Sequence, residues 1–156
     1  MKKLEIILII GAIIGFLMVQ LSVPLNSVVV SLFFGVLGLL YFYLGFALFN
    51  GIQFRGILKA ESYKGVGTWR IAIAVGTGLA LSELTIGFMF TILNYPMAKF
   101  LIIFGIVLAV IVIILAVAKN AREKNQFYWN IIMRCLIFIV IAVFFLVLPG
   151  QIFEKP

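Results

Sequence analysis

Five apolar runs of roughly twenty residues each, long enough to cross a hydrocarbon core of about 30 Å, make up most of this chain. Hydrophobic residues are 65% of the 156 and charged residues only 11%, where a soluble domain carries about 25% charge. So short a chain cannot hide that much apolar surface behind a polar shell. In a bilayer it need not, because the outer surface is apolar too and each helix satisfies its own backbone. The expected fold class is all-α: an integral membrane bundle of five transmembrane helices, forming one transmembrane domain over residues 1–156.

Helix 1 is expected over residues 4–21, followed by an uncharged turn in which Pro24 and Asn26 break the helix and Ser27 caps the next. Helix 2 is expected over 28–49, closed by Asn50-Gly51 in the manner of a C-cap. The stretch Ile52 to Trp69 is the longest polar segment. Its portion Gln53 to Lys59 reads equally as a surface-lying amphipathic piece and as a solvated loop. Helix 3 is expected over 70–93, with the tight turn Asn94-Tyr95-Pro96 leading to helix 4 over 97–118. A basic loop, Lys119 to Trp129, precedes helix 5 over 130–148, which Pro149-Gly150 stops.

The net charge of +7 reads as membrane topology and not as nucleic-acid binding, since the basic residues sit at helix ends and form no stripe with interleaved aromatics. With a cytoplasmic N-terminus the inner side carries Lys2, Lys3, Arg55, Lys59, Lys64, Arg70, Lys119, Arg122, Lys124 and Arg134, and the outer side only Lys99 and Lys155. Ten against two predicts an N-in, C-out protein of an inner membrane. Trp69, Tyr128 and Trp129 fall at the inner interface and Tyr95 at the outer. Met1-Lys2-Lys3 before an apolar run mimics a signal peptide, but no small-x-small cleavage site follows, so retention is expected.

A repeat links the first four helices. Ile14-Gly15-Phe16, Leu21 and Pro24 recur as Ile86-Gly87-Phe88, Leu93 and Pro96, at a constant offset of 72 residues. This predicts two helical hairpins in parallel orientation, helices 1–2 and 3–4, plus one added helix. A hairpin with Gly-hydrophobic, a short Pro turn and a Gly-rich second helix resembles small multipass inner-membrane proteins of Bacteroidota. It is similar to the two-helix membrane hairpin of the gliding-motility and type IX secretion motor protein L family. That resemblance implies a helical hairpin in the inner membrane. The family's His-Trp-Pro-Gly turn is replaced here by Ser22-Val23-Pro24-Leu25 and Asn94-Tyr95-Pro96-Met97, and helices 2 and 4 lack the family's carboxylate. Proton-driven motor function is therefore not carried over.

Glu83 is the chemical anomaly of the sequence, about thirteen residues into helix 3 and near the bilayer midplane. A charged carboxylate there costs at least ~2.5–3.5 kcal/mol on insertion scales. Tyr41 and Tyr43 on helix 2 and Arg134 on helix 5 are its candidate partners. Glu83 then either binds a proton, a cation or a cationic substrate, or holds helices together through hydrogen bonds. Gly11 with Gly15, Gly76 with Ala80, and Gly87 form small-residue faces suited to helix packing. Pro24 and Pro96 mark the turns. With no His and one Cys (Cys135), neither a metal site nor an internal disulfide is expected. No nucleotide loop, paired carboxylates or nucleophile with a base appears, so neither a cofactor nor enzymatic activity is expected. The expected partners are the lipid bilayer and a protein partner or a second copy. The expected role is a non-enzymatic subunit or scaffold of a membrane complex. The alternative is a small proton- or cation-coupled transporter or channel using Glu83.

Overall fold

The computed structural model describes residues 1–57 and 59–147, and they form an all-helical structure. The long helices are α1 (Lys2–Gln20), α2 (Asn26–Phe49), α3 (Thr68–Ile92), α4 (Ala98–Glu123) and α5 (Gln126–Val147). All five are long and apolar enough to cross a membrane, the architecture of a multi-pass membrane protein. The expected end of helix 5 at Leu148, its Pro149-Gly150 stop, and Lys155 lie outside the described residues.

The expected basic loop Lys119–Trp129 is nearly all helix. α4 continues to Glu123, where Lys119 and Glu123 pair one turn apart at 3.7 Å. Lys124 then takes a left-handed conformation, and Asn125 Oδ1 accepts the backbone N–H of Phe127 at 2.9 Å to open α5. Charge had suggested a loop, but charged side chains at spacing i, i+4 support a helix. Between α2 and α3 the chain makes two short 3-10 turns, Phe54–Gly56 and Ala60–Tyr63.

α3 is the central helix. It packs on α2, α4 and α5, while α1 lies on α2 and stays apart from α5 along most of its length. The most apolar stretch of α3 is 61% buried, against 28% for each of α1, α4 and α5. Without a hydrophobic driving force between helices in lipid, close approach depends on small residues. At the α2–α3 crossing a Cβ on Gly45 would stand 2.8 Å from Gly78 Cα. Near the α1–α2 and α3–α4 turns, a Cβ on Gly15 would stand 3.3 Å from Val30 Cα, and one on Gly87 3.1 Å from the Ile102 amide nitrogen.

The α1–α2 and α3–α4 turns have the same backbone geometry at the 72-residue offset. Val23 N–H donates to Met18 O at 3.0 Å and Tyr95 N–H to Phe90 O at 2.8 Å. Ser22 and Asn94 both have φ of 55°, and Leu25 and Met97 have φ of 65° and 67°. Helix α2 begins after Leu25 without a side-chain cap, so the expected cap from Ser27 is not made. Its far end closes as expected at Asn50-Gly51, with Gly51 at φ 74°.

Candidate functional site

Glu5 stands on the first turn of α1 yet is only 3% exposed. Its position follows from helical periodicity. Glu5, Leu8, Ala12 and Gly15 share the buried stripe of α1, the face laid against α2. Tyr41, fully buried on α2, donates its hydroxyl to Glu5 Oε1 at 3.0 Å. Arg134 on α5 donates Nη1 to the same oxygen in an ion pair. The guanidinium also lies over the Phe49 ring, 5.2 Å from its centroid. Tyr41 is held by Phe49, stacked at 6.2 Å, and by the edge of Phe138 at 5.9 Å. Three helices thus meet at one carboxylate, about one to two turns inside the end of the bundle that carries Lys2 and Lys3.

Tyr41 and Arg134, expected to partner Glu83, are therefore engaged by Glu5. Sequence reasoning passed over Glu5 because it follows two lysines and looks like an interfacial charge. Two signals were available: its register on the small-residue face of α1, and its depth. Tyr41 and Arg134 each lie eight residues from the helix end nearest Glu5, whereas Glu83 lies fifteen residues into α3.

Glu83 is placed differently. Helix α3 is buried on all sides but one stripe, formed by Ala72, Val75, Leu79, Glu83, Ile86 and Phe90 at helical spacing. Glu83 is half-buried at the middle of that stripe, and its carboxylate makes no hydrogen bond or ion pair among the described residues. Thr77 and Thr85 of the same helix donate to their own backbone, to Ile73 O at 2.7 Å and to Leu81 O at 2.6 Å. Tyr43 points outward from α2, 64% exposed.

The packing candidates divide between two helix pairs. Gly11 lies against the Phe33 ring and Gly15 against Val30, joining α1 to α2. Gly76 lies against Val112 and Gly87 against Ile102, joining α3 to α4. Ala80 is buried in a cluster with Ala109 and Cys135. Pro24 and Pro96 sit in the two matched turns.

Because α1 and α5 touch at the Glu5–Arg134 pair and at the Phe16–Phe145 rings but stay apart between, a crevice runs between them. Near the Glu5–Arg134 pair it has a volume of about 480 Å³, bordered by Lys2, Tyr41 and Asn130. It continues past Ile9, Ile137 and Phe138 into a second chamber of about 410 Å³. That chamber is walled by aliphatic and phenyl groups, Thr85 being the one polar residue lining it. Among the described residues no three His, Cys, Asp or Glu side chains gather as a metal site would require. Comparison with protein-family models, with curated proteins and with solved structures found no match.

Proposed function

We propose that this protein is a non-enzymatic subunit or scaffold of a membrane complex. It sits in the inner membrane with its N-terminus cytoplasmic and receives a partner's transmembrane helix on the open stripe of α3. The observation that carries this reading is Glu83: a carboxylate near mid-span, without a hydrogen-bond or ion-pair partner among the described residues, on the one uncovered face of the central helix. Facing lipid alone, that group bears the full insertion cost of at least ~2.5–3.5 kcal/mol. A neighbouring helix that brings a Lys, an Arg or a hydrogen-bond donor to the same depth removes most of it. A second copy docked symmetrically on this stripe would set carboxyl against carboxyl, a pairing that requires at least one of them to be protonated, so a Lys, an Arg or a neutral donor is the better complement. The complementary partner is therefore a different chain.

The grouping of α1–α2 and α3–α4 as two related hairpins with α5 added is part of the same reading, supported by the matched turns and the matched glycine approaches at Gly15 and Gly87. The N-in orientation draws on the ten-to-two distribution of basic residues. The alternative, a transporter coupled through Glu83, has less support. The crevice opens on the side of α3 that bears Thr85, and two residues along a helix turn the side chain by about 200°. Glu83 thus faces away from it.

The test is copurification from native membranes under mild solubilisation. A stoichiometric partner is expected with the unmodified protein and lost with Glu83→Leu, while Tyr43→Phe retains it. A monodisperse, partner-free protein, or a partner indifferent to Glu83→Leu, would overturn the proposal.

A further inference from the structure

The crevice between α1 and α5 is polar at one end and apolar along the rest. At the polar end one Nη of Arg134 donates to Glu5, and Lys2, Asn130 and Arg134 all line the opening. Lys2 and Arg134 together outweigh Glu5 by one positive charge. The lips are side chains that are about half exposed: Ile6 and Ile13 on α1, Ile137 on α5. From Arg134 to Phe144 the helix rises roughly 15 Å, the depth of about one leaflet's hydrocarbon layer. A transmembrane helix would not match this shape, since the slot is one leaflet deep and changes character from charged to apolar along its length.

From this polarity and depth we propose that the α1–α5 crevice binds an anionic phospholipid from the leaflet on the N-terminal side of α1. Its phosphate is held by Lys2, Arg134 and Asn130, and one acyl chain lies between Ile13 and Ile137 over the Phe34–Phe88 floor. The Glu5–Tyr41 contact fixes Arg134 from below, so its guanidinium is presented at one depth and not left to swing. The inference is independent of Glu83, which lies on the opposite side of α3.

Native mass spectrometry of the full-length protein tests this, after exchange into detergent with phosphatidylglycerol or phosphatidylcholine of identical acyl chains. Phosphatidylglycerol should be retained on the order of fivefold more than phosphatidylcholine, the preference expected of one unbalanced basic side chain. Lys2→Gln should abolish most of that preference. Ile137→Trp should fill the slot and reduce retention of both lipids severalfold, with the thermal midpoint unchanged because Ile137 is already 55% exposed. Ile13→Trp on the opposite lip repeats that test should Ile137→Trp fail to fold. Equal retention of the two lipids, unchanged retention in a correctly folded Trp variant, or dimer masses in place of lipid adducts would overturn the proposal.

Discussion

Arg134 and Glu5 stand 129 residues apart in sequence and form an ion pair that ties α5 to α1. The pair is buried at Glu5 and about a third exposed at Arg134; it adds little net stability over apolar groups of the same shape, but removing one member strands a charge. Arg134 is a third exposed, so Arg134→Met alone is expected to destabilise the bundle by about 1–3 kcal/mol. The double replacement Glu5→Leu with Arg134→Met should recover most of that loss. Unfolding in mixed micelles measures both. Tyr41→Phe, which removes one hydrogen bond to a charged acceptor, should cost about 1.5–3 kcal/mol.

The glycine approaches supply a second prediction. A side chain at Gly87 presses on the backbone of Ile102, which cannot yield without moving α4. Gly87→Val should destabilise by about 1–3 kcal/mol. A Cβ at Gly35 meets nothing within 4 Å, so Gly35→Ala should be neutral or stabilising by up to about 1 kcal/mol, through helix propensity alone. Equal losses at the two positions would contradict this account of the α3–α4 crossing.

Leu25 and Met97 hold left-handed backbone conformations while 73% and 65% exposed, so their side chains contribute little packing. Leu25→Val and Met97→Val place a β-branched residue at positive φ and are each expected to add a fraction of the roughly 1–2 kcal/mol that any L-residue already pays there. Similar losses at the two sites, read from thermal unfolding in one detergent, would follow from their shared geometry. A loss at only one would separate the turns.

The number of spans was legible because length and apolarity are properties of whole segments, insensitive to tertiary detail. The boundary between α4 and α5 was not, because Lys119 and Glu123 register as polar in hydropathy while their spacing favours a helix. The polar contacts were harder still. Depth alone placed Tyr41 and Arg134 within reach of several groups, and only the side of α1 that packs on α2 brings Glu5 to them. That Glu83 lies on an open stripe depends on where α2 and α4 leave α3 uncovered, which no single helix encodes.

Orientation has its own measurement. In a Cys135→Ala background, a cysteine at Lys64 should be protected from an impermeant maleimide in intact cells, and one at Pro96 should be labelled. The reverse pattern would invert the assigned topology.

The proposal that α3 receives a partner is tested most directly by site-specific photocrosslinking at Leu79, one turn from Glu83 on the open stripe. In native membranes, irradiation should give one discrete heteromeric adduct, absent in Glu83→Leu and unaffected by Arg134→Met paired with Glu5→Leu. Adducts to lipid alone, or to a second copy of this chain, would contradict the account.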